Sequence, residues 1–360
     1  MSTPQTLLES WSPVCDIQAF VEKSEANYYF YLWVNPHSKQ PQMKSCWICN
    51  ARPAPKQIDY KAMEQGMAPS MPEAYVSHNI NGIELDAEKL SVEWFEEGDG
   101  AALLYENEII CVIPGWSGYN GFHGYSKYAI GTSPFAWEMT NAIETLSNRV
   151  NKSRAFWNFF ETDYWEKVQQ YHIDVLEKFF GKYDKYYAID GGNFPPKALI
   201  SGHKEDICYG ITAGVSLIPM PCVEQNFSED ANNFRRMELG FAAIEKHKQL
   251  RDLMYSVLSG ISALPWKEIT FLAHGHTVPF QNIKGYAAIL FLNPKLVPEL
   301  ESPDYGKFME DDVNLLWTVP ITQEEYDFVL KHDVTELLNR ANDVSRIHIF
   351  DGTKKTFDLV

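Results

Sequence analysis

The 360-residue chain lacks several features that would assign it at once to a specialised class of protein. It has 6 cysteines, which is too few for a disulfide scaffold, and no apolar run near the ~18 residues that span a bilayer. Its first residues, MSTPQTLLESWS, contain no basic segment followed by an apolar one, so we expect no secretory signal. These absences predict a soluble protein of the reducing cytoplasm, without a membrane as partner.

Positive charge is also scarce, with 31 Lys and Arg against 48 Asp and Glu and a net charge of −17. This surplus argues against nucleic acid as a partner and favours a basic protein or peptide, although it does not define an oligomeric state. The 45% of hydrophobic residues are typical of a globular chain with a sizeable core, and the length suggests two domains.

Motifs for phosphate binding and for nucleophilic catalysis are absent or incomplete. There is no G-x-G-x-x-G run and no GKS or GKT. Gly115-Trp116-Ser117-Gly118 follows an apolar run, but a nucleophile elbow needs glycine where Tyr119 stands and a helix directly afterwards. The sequence therefore predicts no catalytic residue and no cofactor.

The other short clusters favour structural interpretations. Cys46 and Cys49 have redox spacing, but their surroundings predict a strand, whereas a thioredoxin-type site needs a helix N-terminus. The acidic clusters at 96–99 and 310–312 are expected on solvated turns or strand ends.

Hydrophobic periodicity predicts an α+β fold with a mostly β domain over 1–160 and a mixed α/β domain over 161–360. A helix is predicted after a capping box formed by Asp163 and Glu166, and Gly181 is expected to end it. The apolar stripe of this helix is Tyr164, Val168, Tyr171, Val175 and Phe179. A separate helix is predicted from an apolar face at Leu250, Leu253, Met254, Val257 and Leu258. Two more helices are predicted after capping boxes, Thr322 with Glu325 and Asp333 with Glu336. The predicted strands are 27–34, 44–50, 91–97, 101–106, 109–116, 186–192, 207–221, 237–244, 267–274, 285–292 and 314–320.

His274 and His276 lie two apart in FLAHGHTVPF, residues 271–280. On a strand, such residues share a face, so both rings could bind one metal ion, as in a metal-dependent hydrolase. Such a site needs at least a third protein ligand, and no HExxH motif supplies one. The alternative is that both histidines are polar residues at the end of a strand, before Pro279.

A second candidate is the segment 115–126, which has glycine at every third position with aromatic residues between. It can be a binding loop for a protein, a carbohydrate or a small ligand, with Trp116 and Tyr119 as contacts, or an irregular surface loop.

Five motifs of residues 165–350 together resemble the suppressor-of-fused (Sufu) domain family, particularly its bacterial members. They are HIDVLEKFFG (172–181), ITAGVSLIPMP (211–221), MELGF (237–241), the run from LSGISALPW to AHGHTVPF (258–280), and NLLWTVPITQEEYDFVLKHDVTELLNR (314–340). They occur in the same order as in the family.

The resemblance implies a non-enzymatic protein-binding module. Animal members are cytoplasmic regulators that clamp a short peptide of a transcription factor as an added β-strand, and bacterial members look like immunity proteins that neutralise toxins. Gly275-His276 falls where animal members have an Asp-His pair beside the peptide groove. The resemblance therefore predicts partner contacts at Gly275, His276 and Thr277, with glycine in place of the acid.

Overall fold

The computed structural model describes residues 4–280, 282–352, 357 and 359. The chain divides into two compact units, Met1–Thr162 (unit 1) and Asp163–Val360 (unit 2). Unit 1 consists mostly of strands and unit 2 combines strands with helices, which confirms the predicted α+β class.

Unit 1 contains one antiparallel sheet, a second sheet that is antiparallel except for the β8–β9 pair, and a long helix. Its elements are β1 (Gln5–Trp11), β2 (Ile17–Lys23), β3 (Asn27–Val34), β4 (Gln42–Asn50), α1 (Tyr60–Glu64), β5 (Leu90–Trp94), β6 (Ala101–Tyr105), β7 (Glu108–Ile113), β8 (Tyr125–Ser126), β9 (Trp137–Glu138) and α2 (Ile143–Phe159). The predicted strands at 27–34 and 44–50 pair as the antiparallel hairpin β3–β4, and those at 91–97, 101–106 and 109–116 form the antiparallel meander β5–β6–β7.

The two sheets of unit 1 pack face to face. Strands β1–β4 form one sheet in chain order and β5–β9 form the other. Phe30, Leu32 and Cys46 on the inner face of the first sheet are fully buried, and β4 contacts β7 and β8. Leu146 and Val150 of α2 pack in one cluster with β6 and β7. The layers are therefore sheet, sheet and helix.

Unit 2 is built around one mixed sheet. Its elements are α3 (Trp165–Phe180), β10 (Lys185–Ala188), β11 (Ala198–Lys204), β12 (Ile207–Ala213), α4 (Val223–Phe227), α5 (Ala231–Phe234), β13 (Arg236–Ile244), α6 (Lys248–Ile261), α7 (Leu264–Glu268), β14 (Thr277–Pro279), β15 (Ala288–Leu292), β16 (Lys307–Phe308), β17 (Asp311–Ile321), α8 (Gln323–Lys331), α9 (Val334–Leu338) and β18 (Ile349–Phe350). The main order is β10-β11-β12-β13-β17-β15-β14, with β16 beside β17 and β18 beside β13. Pairing is antiparallel except between β13 and its neighbours β17 and β18.

Helices cover both faces of this sheet. Ile211 of β12 packs in the same cluster as Leu176 of α3. The preceding residue, Gly210, lies under Tyr255 of α6, where a Cβ would approach the ring to 2.1 Å. Since alternate residues of a strand point to opposite faces, α3 and α6 lie on opposite sides. Coverage on both sides accounts for the burial of β13, in which Arg236 and Glu238 are buried together with the apolar residues.

The helix ends show which local predictions hold. Thr322 and Glu325 form the predicted capping box of α8, and Asp333 caps α9. The predicted box of Asp163 and Glu166 is wrong, because Tyr164 has helical dihedrals, is itself the N-cap of α3 and makes no side-chain capping bond. The predicted stripe is confirmed at Val168, which is buried, and at Val175, which packs against the core. It is wrong at Tyr171, which is exposed, and the other buried residues of α3 are His172 and Leu176.

The strand predicted over 267–274 is wrong. Helix α7 ends at Glu268, Ile269 adopts a left-handed conformation at φ 50°, and His274-Gly275 form a turn. Trp266 anchors α7, because it is buried and its indole Nε1 donates to Pro219 O at 3.0 Å. This tertiary contact overrides the β-like local pattern. The strand of this region is β14, which begins only at Thr277.

The acidic clusters are not wholly solvated, contrary to prediction. Glu97 and Asp99 are buried in unit 1, and Glu97 Oε2 pairs with Arg149 Nη2 at 3.0 Å. Asp311 in unit 2 is 1% exposed and pairs with Arg236 Nε at 2.6 Å. A cluster of acidic residues therefore predicts exposure to solvent only where the fold brings no cationic side chain to pair with it.

Candidate functional site

Several of the family-like motifs meet at one buried carboxylate. Glu238 on β13 is fully buried and accepts hydrogen bonds from Thr212 Oγ1 and Ser216 Oγ, both at 2.7 Å. It also accepts from the backbone nitrogens of Gly214 and Ser216, both at 3.0 Å. Four charge-assisted bonds offset the removal of the carboxylate from water. Glu238 therefore fixes the segment after β12, and a glutamate inside MELGFAAI was the sequence signal for it.

Arg236 holds the same segment from its carbonyl side. Its guanidinium is fully buried, and Nη1 donates to the carbonyls of Ser216 and Leu217 at 3.0 and 2.6 Å. Nε pairs with Asp311 Oδ2 at the start of β17. The bonds of Arg236 and Glu238 thus organise the centre of the sheet, on which the neighbouring surface segments rest.

His172 lies beside this network. Its Nε2 is 3.8 Å from Glu238 Oε1, and its ring is 5.3 Å from that of Tyr305. Burial lowers the pKa of His172 more than the Glu238 charge raises it. The ring is therefore neutral at pH 7.

His274 lines an apolar pocket of about 110 Å³. Its Nδ1 accepts from the backbone nitrogen of Asn293 at 3.3 Å, so its Nε2 carries the ring proton. Burial lowers the pKa of His274, which keeps the ring neutral at pH 7. Cavities of roughly 150 Å³ lined by apolar side chains hold one benzene, so this pocket suits a single apolar side chain. Its apolar lining includes Phe227, Phe234, Met237, Leu272, Leu296 and Leu316, and Asn293 and Asn314 supply polar groups.

Gly275 makes the turn after His274. Its φ is 81°, and a Cβ would lie 2.9 Å from Val334 Cγ1 of α9. Only glycine meets both conditions without strain. The residue predicted as a partner contact is therefore also required for the turn, while His276 is exposed with its ring 5.0 Å from that of Phe271.

Strand β14 is one edge of the sheet, and among the described residues no strand pairs with its outer side. On the inner side, the carbonyl of His276 accepts from Phe291 N at 3.0 Å. Alternate residues of an antiparallel strand direct their backbone groups to opposite sides, so Thr277 and Pro279 direct theirs outward. The outer side thus offers the N–H and carbonyl of Thr277 and the carbonyl of Pro279.

The glycine-aromatic segment of unit 1 is packed against itself. The rings of Trp116 and Phe122 stack at 4.4 Å, and Gly118 N donates to Phe122 O at 2.7 Å. Tyr119 is 71% exposed on a short 3-10 turn. Of the two predicted contacts, Trp116 is half-buried and Tyr119 presents its ring to solvent.

Cys46 and Cys49 lie on β4, which confirms the prediction that they are strand residues. Both are fully buried, and burial raises the pKa of each thiol well above its usual value. Neither forms a disulfide. Thiols in this state are unreactive.

The remaining histidines do not join His274 and His276 in one cluster. His203 lies between Asp184 and Glu245, with Nε2 2.8 Å from Glu245 Oε2. His123 Nδ1 lies 3.2 Å from the carbonyl of Ser45 in unit 1. Across the part of the chain that the structure describes, no group of three or more His, Cys, Asp or Glu side chains is placed to hold a metal ion.

Part of unit 2 matches a known family. Residues 195–353 match the family model described as Suppressor of fused protein (SUFU). The predicted resemblance to this family is therefore confirmed over these residues. No curated protein matches the chain.

Two solved structures are similar to the chain. One is the 1.40 Å crystal structure of a protein described as a SUFU homologue from Neisseria gonorrhoeae FA 1090, with 15% identity and a TM-score of 0.35, covering 54% of this chain and all of that one. The other is the crystal structure of the Sufu-Fu complex, with 12% identity and a TM-score of 0.35, covering 52% of this chain and 91% of that one. Among the described helices, none is both long and apolar enough to cross a membrane.

Proposed function

We propose that the chain is a protein-binding module without enzymatic activity, and that unit 2 binds a peptide segment of its partner along the outer edge of β14. The observation that carries the proposal is that this open edge directly follows His274, whose ring lines an apolar pocket. An added strand bonds to an edge through its backbone, while pockets beside the edge select its side chains. The match to the Suppressor of fused family supports the proposal, since Sufu is the protein that forms the Sufu-Fu complex.

In this arrangement the predicted contacts have distinct roles. Thr277 donates and accepts backbone hydrogen bonds, Gly275 makes the turn that sets the strand, and His276 contacts the ligand from its exposed position. In unit 1, Tyr119 and Trp116 form a further contact, with Tyr119 the more accessible.

The partner is proposed to be basic, because the chain carries a net charge of −17 and complementary charge accelerates association. A toxin with a cationic surface, such as a nuclease, fits this description, with the chain acting as its immunity protein in the cytoplasm.

The test is to capture the partner from native lysate, identify it by mass spectrometry and measure its affinity for purified variants. Thr277→Pro removes the outward N–H while leaving in place the inward bond that His276 O accepts from Phe291 N of β15. We expect it to weaken binding about tenfold or more, since it removes one backbone bond and hinders strand pairing. Thr277→Val keeps the N–H and is the matched control.

Equal affinities of both Thr277 variants and the wild type would exclude the β14 edge. Repeated failure to recover a stoichiometric partner would count against a binding function as a whole. Metal analysis of the same purified protein tests the alternative hydrolase, which predicts a tightly bound ion at His274 and His276.

A further inference from the structure

The outward face of the four-stranded sheet in unit 1 carries exposed apolar side chains that the proposed function does not use. Trp11 lies opposite Gln18, Gln18 opposite Trp33, and Trp33 opposite Met43. Directly opposed residues share a face, so these four form one row across all four strands. Trp11, Trp33 and Met43 are 48%, 37% and 59% exposed. A cluster of exposed apolar side chains on one face is typical of an interaction surface.

The next row extends this surface. Glu9 lies opposite Phe20, and Phe20 opposite Tyr31. The Phe20 ring stacks on Tyr31 at 5.0 Å and meets the edge of Trp33 at 6.4 Å. Phe20 therefore supports one side of the Trp33 indole, whose remaining surface is partly exposed. We name Trp11, Phe20, Trp33 and Met43 together the aromatic face.

One end of the sheet is covered and the other is open. Tyr29, two residues before Tyr31 on β3, is 5% exposed, and its hydroxyl donates to Pro69 O at 2.7 Å. The loop through Pro69 therefore covers that end. The aromatic face lies at the opposite end, where the side chains of the first row are exposed.

The charged residues at the outward strand positions of this sheet have one sign. Glu9 lies at such a position, and so does Glu22, which is opposite Tyr29. The strand register places no Lys or Arg among the described outward positions of these four strands. Lys44 lies on the inner side, where its ammonium donates to Gly115 O. Aromatic rings next to carboxylates attract a cation through both the ring quadrupole and the charge.

We propose that the aromatic face binds an extended basic segment of a protein partner, with Arg or Lys side chains over Trp11 and Trp33 and close to Glu9. Strands β1 and β3 are two strand spacings apart, which is about 10 Å. In a segment with the extended polyproline II conformation, residues three apart share one side and lie about 9 Å apart. Cations at every third position of the segment therefore reach both indoles. Arginine suits this surface because its planar guanidinium stacks on aromatic rings. This inference rests on the proposed function and assigns a role to unit 1, which lies outside the matched family region.

The test uses fluorescence anisotropy with a labelled Arg-Ser-Ser repeat peptide and the full chain, at low and at physiological salt. We expect binding that weakens with salt and weakens about fivefold or more in Trp33→Ala, because the indole platform is lost. Glu9→Gln should weaken binding and reduce the salt dependence. Tyr60→Ala is the matched control, since Tyr60 is an aromatic residue 66% exposed on α1, outside the four strands and the aromatic face, and this variant should bind as the wild type does.

Equal binding of the wild type and Trp33→Ala would overturn the proposal, as would equal binding of a Glu-Ser-Ser peptide. A concentration-dependent dimer that Trp33→Ala abolishes would also overturn it, because the occupant would then be a second copy of the chain. The two proposals can fail separately. Thr277→Pro reports on the β14 edge with the captured partner, whereas Trp33→Ala reports on the aromatic face with the synthetic peptide.

Discussion

The two large sheets of this protein place the same residue types in opposite environments. In unit 1, Trp33 and Glu9 lie on a sheet face that has solvent beside it. In unit 2, Trp317 and Glu238 lie on strands with helices on both faces, and each is buried. The number of layers beside a sheet decides whether a tryptophan stabilises the core or is available to a ligand.

The largest expected effect contrasts the two tryptophans. Trp317 is 1% exposed and donates from Nε1 to Glu301 O at 3.0 Å, so Trp317→Ala should cost about 4 kcal/mol in the free energy of unfolding. Trp33→Ala should cost less than about 1 kcal/mol, because its ring is partly exposed. Urea unfolding measures both, and similar losses for the two variants would contradict the contrast between the sheets.

The second prediction concerns the buried charge of unit 2. Glu238→Ala leaves the donors of Thr212, Gly214 and Ser216 without their acceptor and should destabilise unit 2 by about 3 kcal/mol. Glu238→Gln keeps the shape but replaces one acceptor by a donor, so we expect an intermediate loss. Chemical denaturation gives both values, and a loss below about 0.5 kcal/mol for Glu238→Ala would show that the network is not structural.

The third prediction is a dependence of stability on pH. Burial and then the charge of Arg346 lower the pKa of His348 from 6.5 to about 4. Because the folded state has the lower pKa, its stability is full above pH 6.5 and falls as the pH drops from 6.5 towards 4. The contribution of this group should fall by about 2 kcal/mol between pH 7 and pH 5.

His348→Phe is the control for this dependence, since it keeps a ring beside Trp317, 4.7 Å from the histidine ring, but cannot titrate. Denaturation of both proteins across this range isolates the histidine. A wild-type minus variant difference that is independent of pH would contradict the assignment.

The smallest expected effect compares two glycines of unit 2 with positive φ. Gly275→Ala combines a φ of 81° with a contact of 2.9 Å to Val334 and should cost about 2 kcal/mol. Gly285→Ala has a φ of 100° but no atom within 4 Å, so its cost should be about 1 kcal/mol. Thermal unfolding ranks the two variants, and the reverse order would show that the contact with α9 is easily relieved.

Much of the fold is predictable because its signals are local. The capping box of α8 needs only Thr322 and Glu325, three residues apart, and strand β3 is an unbroken run of β-forming residues. Sequence reasoning fails where a distant contact decides the outcome. Trp266 bonds to Pro219, and this anchoring produces helix α7 in place of the start of the predicted strand.

The candidate site was located only in part. The motif around His274 was identified from its resemblance to a family, but the pocket is lined by residues as far apart in the chain as Phe227 and Leu316. Similarly, Glu238 meets Thr212 across 26 positions of the chain. The periodicity of the sequence does not predict these contacts, because the sheet topology brings the residues together.

The shortness of β14 has a consequence for the strength and selectivity of recognition. Its outer side offers three backbone groups, and hydrogen bonds of this kind contribute roughly 1 kcal/mol each. Their total is below the ~4 kcal/mol of even a millimolar complex. Backbone pairing alone therefore cannot retain a ligand, and a generic extended peptide should dissociate at once. In the proposed complex, residence time must therefore come from side chains, and the edge would discriminate between sequences instead of pairing with any unfolded strand.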